Sequence, residues 1–248
     1  MEIEGKRVLI TGSSRGLGRA LVTAFVDAGA EEVLAGARKR KDLEALKSER
    51  VKPVQLDVTQ DADVNAVVGL GAIDILVNNA GVAGFGNPLT MDFEKVQDEL
   101  AVNYLGVLRV TRAVAPGMIA RRDGMIVNIA TAFAKVNLPL VGTYCATKAA
   151  LLSLGQAFRA YLDDHNVRVI TVMPTTIDTD MSRGANVPKM TKEFVAGEIL
   201  TAIREERHDP AIGDEAQGVF DSLAKDSLAC EKALQQMKVV PQKGTQGS

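Results

Sequence analysis

Short runs of β-branched apolar residues alternate along this chain with longer stretches of helical period. That alternation limits the fold more than any single motif does. The runs are too uniformly apolar for strands with one wet face, and each helical stretch is long enough to carry the chain back across a sheet. Repeated βαβ units follow, and with them a doubly wound α/β fold: a parallel sheet of about seven strands with helices on both faces. Strands are expected near Arg7–Thr11, Glu32–Ala35, Lys52–Leu56, Ile73–Val77, Met125–Ile129, Val167–Val172 and, briefly, Ala211–Ile212. Helices are expected over Gly16–Ala28, Lys41–Ser48, Ala62–Gly69, Asp92–Arg121, Gly142–Asp164 and Lys192–Arg204. One or two more should follow Asp214, the second capped at Asp226-Ser227. No repeat or Pro/Gly/Ser linker divides the chain, so residues 1–239 read as one domain, with a polar tail over 240–248 that should fray.

The first strand runs directly into Thr11-Gly12-Ser13-Ser14-Arg15-Gly16-Leu17-Gly18, and a helix then opens. Glycines at these places allow a tight turn, close approach to a pyrophosphate and packing of helix on strand, while free N–H groups at the helix start attract an anion. The turn is a more widely spaced variant of the dinucleotide fingerprint, which makes the expected fold Rossmann-type. At the end of the second strand, where an acid would bind the ribose diol of NAD, the chain has neutral Ala37 followed by Arg38. A guanidinium matches phosphate geometry, and Arg15 in the glycine turn could approach the same group from the other side. Together they favour NADP(H).

Tyr144 is the only one of three tyrosines with a lysine, Lys148, four residues downstream. On a helix the two share a face, and a fixed cation beside a phenol favours the phenolate. The pair is therefore a candidate proton-transfer device.

Composition narrows the alternatives. A net charge of −2 gives no basic field for nucleic acid, and no apolar run approaches membrane-spanning length. With no signal-like apolar region after Met1, the expected location is the cytoplasm. Two cysteines and two histidines, widely scattered, supply neither a disulfide framework nor a zinc site, and no metal is expected.

Further segments complete a recognisable set. Asn78-Asn79-Ala80-Gly81 follows the fourth strand, Asn103 lies in the long helix after it, Thr131 ends the fifth strand, and Tyr144 and Lys148 begin the next helix. In this order, up to about Met181, the chain resembles the compact single-domain branch of the short-chain dehydrogenase/reductase family. The resemblance implies a hydride-transfer enzyme acting on a small-molecule carbonyl or alcohol substrate. In it Tyr144 is the general acid or base, Lys148 lowers the tyrosine pKa and binds the nicotinamide ribose, and Asn103 holds a water that links Lys148 to solvent. It implies equally that Asp57 bonds the adenine amino group with Val58 packed beside it, and that Asn79, Ala80 and Gly81 hold the adenine ribose. Pro174-Thr175-Thr176-Ile177-Asp178-Thr179 resembles the family's loop over the nicotinamide, with Ile177 and Thr179 on the carboxamide.

Two residues depart from the family pattern. Thr131 stands where the family has serine, offering the same donor and acceptor with an added methyl that narrows the pocket and stiffens χ1. Thr175 stands where glycine is usual, at a cost in backbone freedom. The C-terminus lacks the family's tetramer-building close; apolar faces on the helices bearing Asn103 and Tyr144 point to a homodimer and leave a homotetramer less secure. Three loops, Val82–Met91, Ala132–Val141 and Met181–Met190, should line the substrate side with Phe85, Phe133, Leu138, Leu140, Val141 and Met181. That lining suits an apolar ketone or aldehyde. The main reading is an NADPH-dependent carbonyl reductase. A non-catalytic NADP(H)-binding sensor and an NAD-linked alcohol dehydrogenase remain as alternatives.

Overall fold

The computed structural model describes residues 1–235; the expected frayed tail, 240–248, lies outside the described residues. One parallel sheet runs through the chain in the order β3-β2-β1-β4-β5-β6-β7. Its strands are β1 (Arg7–Ile10), β2 (Glu32–Ala37), β3 (Val51–Gln55), β4 (Ile75–Asn78), β5 (Gly124–Ile129), β6 (Val167–Pro174) and β7 (Ala211–Ile212). Helices α1 (Gly16–Asp27), α2 (Asp61–Ala66), α3 (Phe93–Leu100), α4 (Val107–Arg121), α5 (Gly142–Leu162), α6 (Lys192–Arg204), α7 (Asp214–Lys225) and α8 (Ser227–Gln235) connect or follow them.

Side chains of each strand alternate between two apolar layers, as the two-residue period of a strand requires. Val8 and Ile10 of β1, Ile75 and Val77 of β4, and Met125 and Val127 of β5 pack against Leu21 and Phe25 of α1 and Ile199 and Ile203 of α6. Leu9, Leu76 and Ile126 point the other way, to Val110, Val114 and Met118 of α4. Each large side chain buried there contributes about 1.5–3 kcal/mol relative to an exposed one. Pro53 lacks an N–H to donate and is tolerated because β3 is an edge strand, bonded on one side only to β2.

Three expected helices take other forms. The single helix expected over Asp92–Arg121 is interrupted by a π-helical turn at Ala101–Gly106 between α3 and α4. Tertiary contacts decide this: Asn103 is bonded to the Val82 backbone, and a Cβ on Gly106 would lie 2.6 Å from Val58 Cγ2. Such bulges are frequent at functional sites. Arg40–Leu46 is a 3₁₀ helix, not the α-helix expected over Lys41–Ser48; Leu43 is its only buried residue, too little to hold longer regular structure. The helix expected over Ala62–Gly69 is α2 followed by a 3₁₀ turn, Val67–Leu70, ended by Gly71 at φ +86°. At the second C-terminal helix, Asp226 accepts a hydrogen bond from the Ala229 N–H at 2.9 Å, the cap expected from the sequence.

The strand order reverses direction between β1 and β4, since successive connections lead outward from the centre to opposite edges. A crevice opens at the carboxyl ends of these two strands, where α/β sheets bind ligands.

Candidate active site

The crevice holds a cavity of about 350 Å³. Around it stand Gly12, Ser14, Arg15, Gly16, Leu17 and Gly18 from the turn after β1, with Arg38 after β2 and Asp57 and Val58 after β3. Asn79, Ala80 and Gly81 after β4, Thr131 after β5, Tyr144 and Lys148 of α5, and Pro174, Ile177 and Thr179 after β6 complete its wall. Every site residue expected from the sequence lines this one cavity except Asn103, which is fully buried behind it.

The glycine turn has no room for a side chain at Gly12 or Gly18. Gly12 has φ +70°, and a Cβ there would lie 2.8 Å from Ala80 Cα; on Gly18 it would lie 2.2 Å from the Gly12 carbonyl oxygen. Asn79 holds the turn by donating from Nδ2 to the carbonyls of Thr11 (2.9 Å) and Gly12 (3.1 Å). Its amide nitrogen is thus committed to the turn. Thr11, missed in the sequence, accepts from the N–H groups of Asn79 and Ala80 at 3.0 and 2.9 Å and ties the ends of β1 and β4 together.

At one end of the cavity Arg38 is exposed, and buried Ala37 supplies no carboxylate. Arg15 is exposed too and lies 3.5 Å from Asp180. Asp57 accepts at Oδ1 from the backbone and hydroxyl of Thr59, at 3.0 and 2.7 Å. A tight glycine turn with two exposed guanidiniums near it and no acid at position 37 fits a dinucleotide carrying an additional phosphate.

At the other end lie Tyr144 and Lys148. Lys148 is buried; its Nζ donates to the Ile129 carbonyl at 2.7 Å and lies 5.7 Å from the centre of the Tyr144 ring. Burial pushes the lysine down from 10.5 to about 8. Burial also pushes the Tyr144 phenol above its ordinary value, with Cys145 and the Glu99 carboxylate adding to the rise. The expectation that Lys148 lowers the tyrosine is therefore not met in this arrangement. The ammonium is turned to a backbone carbonyl, and desolvation opposes charge on both groups.

Thr131 is buried, and its hydroxyl donates to the Pro174 carbonyl at 3.1 Å while accepting from the Phe133 N–H at 3.4 Å. Asn103 accepts from the Val82 N–H and donates to the Val82 carbonyl and the Thr147 hydroxyl, each at 2.9 Å. All its side-chain groups are occupied, so it positions the strap after Gly81 and stands next to Lys148: a Cβ on Gly81 would lie 3.3 Å from Asn103 Oδ1 and 3.6 Å from Lys148 Nζ.

The six apolar residues expected on the substrate side, Phe85, Phe133, Leu138, Leu140, Val141 and Met181, all line the cavity. Lys135 lies over the Phe220 ring and Arg183 pairs with Asp180, so both cations are engaged. Two acids at or behind the wall escaped the sequence reading. Glu99 on α3 is buried and accepts at Oε1 from the Gly84 N–H, anchoring the strap. Glu215 on α7 lines the cavity and accepts from the Thr175 hydroxyl at 2.7 Å. The helical spacing of Glu99, three residues after Val96 and four before Asn103, was the available signal for the first; nothing local marked the second.

Comparison with known proteins agrees with this geometry. Residues 6–189 match the family described as short chain dehydrogenase. A D-erythrulose reductase of Gallus gallus is 39% identical over 187 residues, 74% of this chain and 76% of that protein. An L-xylulose reductase of Bos taurus is 36% identical over 189 residues, 75% of this chain and 77% of that protein. Among solved structures, a short chain dehydrogenase from Burkholderia cenocepacia J2315 in complex with NADP superposes with a TM-score of 0.90 at 36% identity, covering 94% of this chain and 99% of that one. By its sheet order, its glycine turn, its Tyr144–Lys148 pair and these matches, the chain belongs to the short-chain dehydrogenase/reductase family.

Proposed function

We propose that this protein is an NADPH-dependent carbonyl reductase with Tyr144 as its general acid. The observation that carries the reading is that Tyr144, Lys148 and Thr131 face the same cavity as the glycine turn. NADPH, when bound, supplies a hydride to the carbonyl carbon. The glycine turn cradles the pyrophosphate, Arg15 and Arg38 hold the additional phosphate, and Asp57 with Val58 receives the adenine. Asn79, Ala80 and Gly81 flank the ribose, while Pro174, Ile177 and Thr179 border the nicotinamide. Tyr144 gives its phenolic proton to the carbonyl oxygen, which emerges as the alcohol hydroxyl. A phenol held in its protonated form by burial is suited to that donation. Lys148 replenishes the proton, and Asn103 keeps the Val82 strap against it. Thr131 polarises the substrate oxygen once its hydroxyl turns from the Pro174 carbonyl. The apolar wall suits a ketone or aldehyde with an apolar body.

The assay is loss of NADPH absorbance with a panel of ketones and aldehydes. Tyr144→Phe should lower kcat about 10²–10⁴-fold while leaving NADPH binding intact. Undiminished turnover in that variant would remove Tyr144 from its role. The commitment of the Thr131 hydroxyl to Pro174 favours a second reading, a non-catalytic NADP(H) sensor. Tight NADPH binding without turnover of any carbonyl would select it. A homodimer belongs to the main proposal, supported by Leu100 and Tyr161, exposed on α3 and α5; sedimentation equilibrium tests it.

A further inference from the structure

We propose that Glu215 is a specificity-determining residue, accepting a hydrogen bond from a hydroxyl that the substrate carries next to its reacting carbonyl. The inference rests on the reductase reading above and names the substrate class of that site.

Glu215 lies in the first turn of α7, behind Gly213, and its side chain reaches the cavity wall. A continuous set of contacts joins it to the reacting end. Thr131 donates to the carbonyl of Pro174, and the next residue, buried Thr175, donates to Glu215 Oε2 at 2.7 Å. Threonine at position 175, where the family usually has glycine, is what supplies this donor. Helical spacing agrees, because Val219, four residues on and therefore on the same face, packs in a cluster with Phe133 and Tyr144. The carboxylate thus stands on the Tyr144 side of the cavity, away from the glycine turn.

Its surroundings identify what it can bind. Among the described residues no cation pairs with Glu215, and only one of its oxygens has a partner. Of the other charged groups of the wall, Asp180 pairs with Arg15 and Arg183 and Lys148 donates to the Ile129 carbonyl, while Arg38 and Asp57 stand beside the glycine turn, after β2 and β3. Phe85, Phe133, Leu138, Leu140 and Val141 offer no hydrogen bond. A substrate closing over this carboxylate without a donor would strip water from it and give nothing back, which is how a polar site rejects an apolar analogue. Both a hydroxyl and an ammonium would satisfy the oxygen. The Lys148 ammonium, 5.7 Å from the Tyr144 ring, disfavours a second cation beside the reacting carbonyl and leaves the neutral hydroxyl.

Hydroxyacetone, butanone and aminoacetone differ only in whether OH, CH3 or NH3⁺ adjoins the carbonyl carbon's methylene. The wild type should prefer hydroxyacetone to butanone in kcat/KM by roughly 10–100-fold, mostly through KM. Glu215→Leu should reduce that ratio to within about threefold, and Thr175→Val, which keeps the side-chain shape and removes the donor, should reduce it part of the way. NADPH affinity, measured by fluorescence, should stay the same in Glu215→Leu. The proposal is overturned if the wild type has no such preference, if the preference survives Glu215→Leu, if aminoacetone is the best of the three, or if Glu215→Leu weakens NADPH binding by the same factor. Should no ketone be reduced at all, the reductase reading fails on its own. Ligand-observed NMR of hydroxyacetone against butanone then decides the role of Glu215: stronger binding of hydroxyacetone that is lost in Glu215→Leu supports it, and equal binding overturns it.

Discussion

Replacing Gly12 by alanine tests whether the glycine turn is required by the fold as well as by the ligand. Two costs can be read from the structure. Gly12 has φ +70°, a left-handed conformation that costs an L-residue about 1–2 kcal/mol. The new Cβ would also lie 2.8 Å from Ala80 Cα and 3.1 Å from Ala80 N. These backbone atoms cannot swing aside, because the Ala80 N–H is bonded to Thr11 Oγ1 at 2.9 Å. Overpacking of this kind costs about 1–3 kcal/mol more, for a total of about 2–5 kcal/mol. At roughly 2–4 °C per kcal/mol for a chain of this size, the melting temperature should fall by about 4–20 °C. Gly197 is the control: it lies exposed in α6, has no positive φ, and a methyl added there would meet no atom within 4 Å. Alanine there should stabilise the protein by about 0.5–1 kcal/mol through helix propensity. Urea unfolding followed by circular dichroism compares the midpoints at equal slope. If Gly12→Ala unfolds at the wild-type midpoint, or if Gly197→Ala loses more than it does, the geometric argument is wrong.

Three other expectations follow from the site. Arg38→Ala should lower the preference for NADP over NAD roughly tenfold, and high salt should shrink the difference because Arg38 is exposed; an unchanged ratio of the two binding constants would leave the additional-phosphate argument without support. Lys148, held near 8 in the folded chain against 10.5 unfolded, stays protonated longer in the unfolded state, so its contribution makes stability rise with pH above about 8. Tyr144, shifted upward, acts in the opposite sense above pH 10, where the unfolded phenol ionises; between about pH 8 and pH 10 the rise should be visible in urea titrations and should flatten in Lys148→Met. Glu99→Leu removes the acceptor of the Gly84 N–H and also a buried Oε2 without a partner among the described residues. Hydrogen exchange at Gly84 should quicken roughly 10–100-fold, the worth of a hydrogen bond to a charged acceptor, with little change in global stability; unchanged exchange at that amide would show that Glu99 does not hold the strap.

Much of this was legible in the sequence because it depends on local rules. Strands that, apart from the edge strand β3, have no wet face alternate with helices long enough to recross a sheet, and that pattern leads to a parallel sheet whatever the partners are. The glycine turn was equally readable, since φ +70° at Gly12 and the absence of space at Gly18 are demands that few residues other than glycine meet. The six apolar residues expected on the substrate side line the cavity for the same reason: they lie in loops that the strand order sends to the carboxyl edge.

Tertiary structure decided what depends on pairs of residues distant in the chain. The sequence put Tyr144 and Lys148 on one helix face, but the Ile129 carbonyl, nineteen residues earlier, determines where the ammonium points, and burial determines the direction in which both groups titrate. The long helix expected over Asp92–Arg121 became two helices and a π turn because Asn103 is bonded to Val82. The Asn79 amide nitrogen found its partners in the carbonyls of Thr11 and Gly12, sixty-eight and sixty-seven residues away. Thr175, a departure when read alone, gained a partner only when α7 brought Glu215 across forty residues to meet it. Periodicity and glycine placement are local and survive in the sequence; the partner of a polar side chain is chosen by the packed fold, because a buried donor or acceptor must be satisfied by whatever the tertiary arrangement sets beside it.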